Sequence, residues 1–456
     1  MNRPAMQKAA LIALLAILLL IPVSMIKDLI GERQARRNDA VQAIAQGWGG
    51  RQMLSGPYLA IPYEREWTEV VREVKEGKTN ERRTERKEAL VLRIPADTVA
   101  WSVEAATSVR SRGIYEARLY SSRVTVRGTI TIPALYGLTE GGSRYRPWVP
   151  RLVMGVADPR GIRSVTGLGF GDMKADFRPG SSDAAVASGV HAALPDYSAA
   201  EQHTVAFSYS FDLAGSEALS ISPLARSTTV QMQSDWRHPS FQGTFLPARH
   251  AVRPDGFSAE WQVSQYASQG AARLAGCKSH EPCAAINAQE LGVSFIEPVG
   301  VYQMLERASK YGFLFIGLVF AAFLLFELLR QLAIHPLQYL MVGLALAIFF
   351  LLLTALSEHV SFGAAYAIAA LGCVGLITTY LVRAIRDACA GLAFGGALAV
   401  LYAVLYVLLK AEDYSLLGGS TLLFLLLAVA MIATRRVDWY RLSAGRGEEA
   451  RPTAVP

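Results

Sequence analysis

The residues whose types most directly suggest chemistry are Ser357, Glu358 and His359, which carry the side chains of a hydrolytic triad. A working triad requires the nucleophile, the base and the acid to face one another. Three consecutive residues on one tight turn cannot do so, and we reject a hydrolytic site here. Glu358 and His359 remain candidate functional residues at a membrane boundary. His359 is also a candidate for a pH-sensitive contact with the soluble domain outside the membrane, because histidine titrates near neutral pH.

A second polar group lies where an apolar run ends, with Glu327 followed by Arg330 and then His335. The spacing of Glu327 and Arg330 places both on one helix face, which predicts an ion pair at the membrane interface. The alternative is that Glu327 binds a proton or an ion inside a helical bundle. Glu327, Arg330 and His335 are therefore candidate functional residues of the membrane part.

The segment GCKSHEPC contains two cysteines, Cys277 and Cys283. In an oxidising compartment they predict a disulfide, which would close a small loop and have a modest entropic effect. The alternative is a metal site of Cys277, His280 and Cys283, but a second Cys/His pair at zinc spacing is missing. Cys373 and Cys389 lie in apolar runs, where we expect them to pack as small hydrophobic residues.

The sequence lacks the signatures of familiar enzyme classes. It contains no Walker A loop, no H-E-x-x-H, no G-x-S-x-G and no kinase signature. We therefore expect a protein that is not an enzyme, with no catalytic residue, no cofactor and no bound metal.

The composition implies that the chain is exposed to two solvents. Of its 456 residues, 52% are hydrophobic and 18% are charged, which is too apolar for an ordinary soluble protein. The apolar residues are concentrated in a short N-terminal block and a long C-terminal block. The net charge of +7 does not indicate nucleic-acid binding, because much of the basic charge flanks the apolar blocks and basic patches with interleaved aromatic residues are absent.

The apolar blocks contain stretches long enough to cross a bilayer as helices. Residues 9–26 predict an uncleaved anchor rather than a signal peptide, because no A-x-A cleavage pattern follows them. Residues 311–434 predict a bundle of about five helices, and residues 27–310 between the two blocks predict a soluble domain. The five C-terminal runs are 311–329, 336–356, 363–382, 389–409 and 416–434.

The charges between the runs all predict one orientation. Basic residues precede the N-terminal run 9–26, occupy the turns at Arg330 and Arg383, and follow the last run, 416–434. The turns at 357–362 and 410–415 carry acidic residues instead. Lys and Arg are retained preferentially on the cytoplasmic side. We therefore expect both ends of the chain, residues 1–8 and residues 435–456, to be cytoplasmic, and the soluble domain to lie outside.

Small residues recur at every fourth position in the fourth C-terminal run, at Gly391, Gly395 and Ala399. Such residues allow helix backbones to approach closely where apolar burial gives no driving force. We interpret them as packing positions within the bundle, with a homo-oligomeric interface as the alternative.

The soluble segment is predicted to be rich in strands. In HTVAFSYSFDLAG, large apolar residues alternate from Val205 to Leu213, and RVTVRGTITIP and FSAEWQV show the same period of two. Because Pro and Gly interrupt these runs at short intervals, we expect a large, mostly antiparallel, sandwich-like β domain. The charged segment at 72–93 predicts a solvated hairpin or loop tip.

Longer stretches resemble a known family. They are LGVSFIEPVGVYQMLERASKYGFLFIGLVFAAFLLFE and HPLQYLMVGLALAIFFLLLTALSEHVSFGAAYAIAA, preceded by LSGPYLAIPY, RGIYEARLYSS and SDWRHPSFQGTFLPARHAVRPDGFSAEWQVS. These segments resemble the inner-membrane CreD family of cell envelope integrity proteins, over nearly the whole chain. The resemblance implies a Gram-negative inner-membrane protein with a large periplasmic domain, tied to the envelope-stress response and under two-component control. It brings no catalytic or cofactor residue and so names a process rather than a reaction.

Together these observations predict a non-enzymatic inner-membrane protein that supports cell envelope integrity. Its periplasmic domain is expected to bind an envelope protein or a cell-wall component, its membrane part contacts the lipid bilayer, and no nucleic acid is expected as a partner. The alternative is a membrane transporter or exporter of a small amphipathic compound. The residues at 301–311 have helical spacing, so we expect one helix to enter the membrane run without a flexible linker.

Overall fold

The chain divides into two compact units in a computed structural model. A helical unit comprises Met1–Asn38 and Val299–Pro456, and a strand-rich unit comprises Asp39–Pro298. The structure describes residues 3–75, 78–139, 143–195, 197, 199–295, 300–330, 334–385, 387–410, 419–421, 424, 428, 431 and 432.

Seven α-helices are present among the described residues, and five of them are long and apolar enough to cross a membrane. These five are α1 and α4 to α7, whereas α2 and α3 are short and belong to the strand-rich unit. The last expected run, 416–434, lies largely outside the described residues. The helices are α1 Arg3–Trp48, α2 Gln265–Ser268, α3 Gly270–Ala275, α4 Val301–Arg330, α5 Pro336–Ser357, α6 Phe362–Ile385 and α7 Ala388–Lys410.

Two of the long helices continue beyond the apolar runs that predicted them. Helix α1 does not end with its apolar run at Ile26 but extends to Trp48. The extension contains no proline, and its many Ala, Arg and Gln residues favour a helix, so the change of composition at Ile26 does not end the helix. Helix α4 runs unbroken from Val301 to Arg330, which is the continuity expected from the helical spacing at 301–311.

The helical unit packs through the small residues that the sequence indicated. A Cβ atom on Gly391 would lie 2.9 Å from the Cα atom of Val382, and one on Gly395 would lie 3.0 Å from the Cβ atom of Thr378. Both contacts join α7 to α6 within one chain. The repeated glycines therefore serve close packing inside the bundle.

The strand-rich unit contains eighteen strands among the described residues. They are β1 Gln52–Lys75, β2 Lys78–Pro95, β3 Thr98–Arg112, β4 Tyr115–Ile132, β5 Ser143–Pro147, β6 Arg151–Val156, β7 Ile162–Val165, β8 Leu168–Phe170, β9 Met173–Ala175, β10 Phe177–Pro179, β11 Gly189–Ala193, β12 His203–Ser216, β13 Ala218–Ser222, β14 Ser227–Ser234, β15 Ser240–Gly243, β16 Arg249–Arg253, β17 Gly256–Ser264 and β18 Leu291–Ser294.

The strands form two nine-stranded sheets. The first sheet has the order β10-β11-β6-β1-β13-β18-β15, with β2 and β5 also paired to β1. The second has the order β16-β17-β14-β3-β4-β12-β8-β9, with β7 also paired to β12. All pairs are antiparallel except β1 with β13 and β3 with β14. The expected fold class is thus confirmed: a multi-pass helical membrane protein with a large, mostly antiparallel, sandwich-like β domain.

The two sheets share one hydrophobic core. Alternate residues of the long strands enter it, as the exposed-buried alternation along β3 shows. Trp101 of β3 and Trp261 of β17 are among its largest buried side chains, and Leu54 and Ile61 enter it from β1 of the other sheet. Because successive side chains of a strand point to opposite faces of the sheet, this alternation determines which face of each sheet is apolar.

A second, smaller core covers the opposite face of the first sheet. Tyr58, Ala60 and Val153 point away from the main core and pack against Leu274 and Ile286. These last two belong to residues 265–287, which contain α2, α3 and the loop 277–283; we call this segment the disulfide lobe. The first sheet is thus covered by apolar contacts on both faces around β1 and β6.

Candidate functional site

The membrane carboxylate Glu327 is buried near the end of α4 and is held by neighbouring residues. The hydroxyl of Tyr339 donates a hydrogen bond of 2.6 Å to Glu327 Oε2, and the backbone N–H of Ile334 lies 3.4 Å from Oε1. Phe320 and Phe323 pack against the Tyr339 ring. The predicted ion pair with Arg330 is not tested, because the Arg330 side chain lies outside the described part.

The second membrane carboxylate, Glu358, follows α5 and contacts two other helices. The Tyr302 hydroxyl of α4 donates to Glu358 Oε1 at 3.2 Å, and Arg33 Nη1 of α1 lies 3.5 Å from Oε2. Arg33 and Tyr302 stand close, in sequence, to the points where the chain enters and leaves the strand-rich unit. Glu358 therefore joins the two helices that flank that unit in the chain.

The two histidines near these carboxylates have different surroundings. His335 caps the start of α5: its Nδ1 accepts a hydrogen bond from the Leu337 N–H, and the Gln338 side chain accepts one from the His335 N–H. This reciprocal arrangement satisfies backbone donors that a helix start leaves free. His359 is exposed beside Glu358. His335 thus has a structural function that its position after an apolar run did not reveal.

Glu327 and Glu358 lie at opposite ends of α5 and cannot act on one reacting group. Helix α5 has 22 residues, and a helix rises 1.5 Å per residue, so its ends are about 33 Å apart. Each carboxylate instead accepts a hydrogen bond from a tyrosine on another element. The geometry is that of two cross-links in the bundle rather than that of an acid–base pair.

The strand-rich unit contains a buried ionic cluster at the base of the β1–β2 hairpin. Arg93 Nε donates to Asp183 Oδ2 and Arg93 Nη2 donates to Asp183 Oδ1, both at 2.7 Å. The Tyr58 hydroxyl donates to Oδ2 of the same carboxylate at 2.8 Å. The side chains of Arg93 and Asp183 are 2% and 0% exposed. The segment at 72–93 was expected to be a solvated hairpin or loop tip, and it does form part of the β1–β2 hairpin. Its last residue, Arg93, is buried rather than solvated, because Asp183 compensates its charge.

The electrostatics of this cluster follow from burial and its compensation. Burial by itself would raise the pKa of Asp183, but hydrogen bonds from Arg93, from the Ala185 N–H and from Tyr58 outweigh it and leave the pKa lowered. Burial, and then the Asp183 charge, raise the pKa of Tyr58 far above its ordinary value. Asp183 is therefore ionised and Tyr58 neutral at neutral pH.

The disulfide lobe is attached to this cluster and to the free edge of β2. Cys277 and Cys283 form a disulfide. Arg93 Nη1 donates to the Cys277 carbonyl at 2.8 Å, and Ser279 Oγ accepts from the Val91 N–H at 3.0 Å. His280 Nε2 lies 2.6 Å from the Ala89 carbonyl. Among the described residues, no group of three or more His, Cys, Asp or Glu side chains has the arrangement of a metal site.

Sequence reasoning missed most partners of these candidate residues. Arg33, Tyr302 and Tyr339 are separated from their carboxylates by up to 325 positions, and no local pattern indicates such pairs. Asp183 lies in the segment RPGSSDAAVASGV, whose small and polar residues predict a loop. Nothing in that composition indicates a buried charge. A usable signal was the arginine of ALVLRIP, a charge inside an otherwise apolar strand.

Comparison with known proteins matches nearly the whole chain to one family of membrane proteins. The family model described as inner membrane protein CreD matches residues 4–440. Inner membrane protein CreD of Escherichia coli (strain K12) is 35% identical over 429 residues, which cover 94% of this chain and 92% of the relative.

Solved structures give only distant matches. The M1 zinc metallopeptidase of Deinococcus radiodurans covers 79% of this chain and 96% of its own at 11% identity, with a TM-score of 0.19. A mutant of the same enzyme covers 44% of this chain and 42% of its own at 9% identity, with a TM-score of 0.20. Similarity at this level supports no conclusion about fold or activity.

Proposed function

Because the chain belongs to the CreD family of inner membrane proteins, we propose that it supports cell envelope integrity from the inner membrane without catalysing a reaction. The strand-rich unit is the module that binds another envelope component, and both chain ends are cytoplasmic. The expected participation in the envelope-stress response belongs to the same proposal.

The disulfide supports a periplasmic location of the strand-rich unit. Disulfides form and persist in oxidising compartments such as the bacterial periplasm, and are rare in the cytosol. The Cys277–Cys283 bond therefore agrees with the orientation that the charges around the helices predict. Two independent features, one of redox chemistry and one of charge, favour the same side of the membrane.

The observation that carries the interaction role is the outer face of the second sheet. Its outward residues are mostly polar, and they alternate with the buried residues along β3, β14 and β17. One row across the strands is Glu260, Gln231, Ser102, Thr125 and Ser210. Serine, threonine and glutamine side chains present both hydrogen-bond donors and acceptors, as recognition of a polar envelope component requires.

The surface can be tested by placing a bulky charge in its centre. Ser102 is exposed, so Ser102→Arg should leave the unfolding midpoint of the strand-rich unit unchanged. It should nevertheless reduce, by at least tenfold, the ability of the full chain to restore resistance to detergent in a strain that lacks the protein. Asp172→Arg, at an exposed turn between β8 and β9, is the matched control and should restore resistance normally.

The proposal makes two further demands. A photo-crosslinking residue at Gln231 should capture the same envelope component as one at Ser102, and Ser102→Arg should abolish that capture. Reporter fusions should place residue 200 in the periplasm and the C-terminal tail in the cytoplasm. A cytoplasmic residue 200, or full complementation by Ser102→Arg, would show that the proposed function is wrong.

A further inference from the structure

A buried cation for which the described residues provide no partner lies in the disulfide lobe. Arg273 of α3 has all three guanidinium nitrogens, Nε, Nη1 and Nη2, inaccessible to solvent, and no acceptor among the described residues lies within hydrogen-bonding distance of them. Burial lowers the pKa of the Arg273 guanidinium, and no carboxylate of the described chain offsets that effect. The guanidinium is thus desolvated, and the part of the chain that the structure describes does not compensate its charge.

Arg93, on the neighbouring strand β2, shows how this protein otherwise treats a buried guanidinium. Its nitrogens contact both oxygens of Asp183 and the carbonyls of Cys277 and Lys278. Two arginines in contact with one small lobe therefore differ completely in their bonding. The difference indicates that Arg273 is not a routine structural arginine.

The missing partner must be an anion of a particular kind. A guanidinium has five donors in a planar fork that matches the two oxygens of a carboxylate, and it keeps its charge in proteins. A buried charge is strongly destabilising unless it is paired. Because Arg93 is already neutralised by Asp183, Arg273 contributes a single uncompensated charge. One monoanion balances that charge, whereas a phosphate dianion would leave a buried negative charge.

The framework around Arg273 is fixed at both ends. A Cβ atom on Gly270, the first residue of α3, would lie 2.3 Å from the Pro223 carbonyl oxygen, so the helix start is pressed against that backbone. Two residues after α3, Cys277 is held by its disulfide and by Arg93. The backbone that carries Arg273 is therefore constrained, and the Arg273 side chain is the part that must move for a ligand to reach the guanidinium.

We propose that Arg273 is the anchor of a carboxylate-binding site in the disulfide lobe, which takes a small ligand with one free carboxylate. The ligand's two oxygens receive the guanidinium N–H groups that no protein acceptor receives. This site lies apart from the outer face of the second sheet, so it can be present or absent whether or not that face binds an envelope component.

The test uses the full chain in lipid nanodiscs and two matched probes. N-acetyl-dialanine with a free carboxylate and its C-terminal amide differ only in the group that Arg273 would bind. The unfolding midpoint is followed by tryptophan fluorescence, since six of the seven tryptophans lie between residues 39 and 298. The free acid should raise the midpoint progressively with concentration, as a ligand of the folded state does, and the amide at equal ionic strength should not.

Variants separate binding from a structural role. Arg273→Met removes the charge at similar volume, so it should abolish the response to the acid while keeping or raising the midpoint without ligand. Arg237→Met, at an exposed arginine of the same unit, should respond as the unchanged chain does. Equal shifts by acid and amide, a response that survives in Arg273→Met, or a large fall of its ligand-free midpoint would each overturn the proposal. A shift by inorganic phosphate alone would overturn the choice of a carboxylate.

Discussion

The Tyr302 hydroxyl donates a hydrogen bond of 3.2 Å to the carboxylate of Glu358, from α4 to the residue that follows α5. The same carboxylate pairs with Arg33 of α1. In the chain, α1 precedes the strand-rich unit and α4 follows it. One side chain of the helical unit therefore fixes the two helices between which the strand-rich unit is inserted.

Replacing Glu358 should separate the contributions of its two partners. Glu358→Gln retains an acceptor for Tyr302 and loses only the ion pair with Arg33. That pair contributes less than about 1 kcal/mol, because the Arg33 side chain is 36% exposed and solvent screens it. Glu358→Ala also removes the acceptor of the Tyr302 hydroxyl, and the loss of that hydrogen bond costs about 1 kcal/mol more. The midpoint of helix unfolding, followed by circular dichroism in nanodiscs, should therefore fall further in Glu358→Ala than in Glu358→Gln.

His359 offers the matched control for that comparison. It is adjacent to Glu358 but exposed, so His359→Gln should leave the helix midpoint within the error of the measurement at pH 7. A midpoint for Glu358→Ala equal to that of His359→Gln would contradict the cross-linking role of Glu358.

Glu327 distinguishes an envelope-binding protein from a transporter. Its carboxylate accepts a short hydrogen bond from Tyr339, which Glu327→Gln preserves through the amide oxygen. We therefore expect the free energy of unfolding of Glu327→Gln to lie within about 1 kcal/mol of that of the unchanged chain. The variant should also restore detergent resistance normally. A variant that folds but restores no resistance would favour transport coupled to the Glu327 charge.

Tyr339→Phe tests the same hydrogen bond from the donor side. It leaves the buried Glu327 carboxylate without its tyrosine donor, and such a loss costs about 1–3 kcal/mol. The helix midpoint should therefore fall further than it does for Glu327→Gln. Equal midpoints would show that the Tyr339 hydrogen bond does not stabilise the bundle.

The sequence predicted architecture well where the pattern is local. The runs 336–356 and 389–409 correspond to α5 and α7, and the alternation from Val205 to Leu213 lies within β12. These patterns work because a helix in lipid and a half-buried strand must satisfy their own backbone and face a known solvent. The extension of α1 beyond Ile26 was not predicted, because a change of composition need not end a helix.

Long-range pairing was beyond local reasoning. The parallel pairing of β1 with β13 joins Gln52 to Leu219, and the contact of Arg93 with Asp183 spans 90 positions. Nothing in the neighbourhood of either residue specifies its partner. In the same way, the sequence indicated that Cys277 and Cys283 could join, but it did not indicate that their loop covers the edge of β2.

The buried pair of Arg93 and Asp183 should be essential as a pair. Removing one partner from a buried ion pair usually costs about 3–5 kcal/mol, because the other charge is left without compensation. Asp183→Asn and Arg93→Met should each lower the tryptophan-detected unfolding midpoint strongly, and the double variant should be less destabilised than the sum of the two. Additive effects in this double-mutant cycle would show that the two side chains are not coupled.

The disulfide should contribute measurable but modest stability. Its cysteines are six positions apart, and the entropy that so small a closed loop removes from the unfolded chain corresponds to about 2 kcal/mol of stability at room temperature. Adding a reductant should lower the midpoint of the strand-rich unit, whereas the double variant Cys277→Ser, Cys283→Ser should start lower and show no response. If the reductant also lowers the midpoint of the double variant, the loss of stability does not come from the Cys277–Cys283 bond.

Acid should destabilise the strand-rich unit in a defined range. Hydrogen bonds from Arg160, together with the Gly50 and Arg160 N–H groups, outweigh burial and lower the pKa of Asp158 to about 2, while an unfolded aspartate titrates near about 3.9. Because the folded pKa is the lower one, the stabilisation is complete above about pH 4 and is lost as the pH falls toward about 2. Asp183, whose pKa is also lowered, adds to this loss.

The unfolding midpoint measured from pH 6 to pH 2 should therefore fall steeply below about pH 4 and less steeply in Asp158→Asn, whereas Asp172→Asn, in an exposed turn, should follow the unchanged chain. A profile for Asp158→Asn as steep as that of the unchanged chain would show that this carboxylate is not a source of the acid sensitivity.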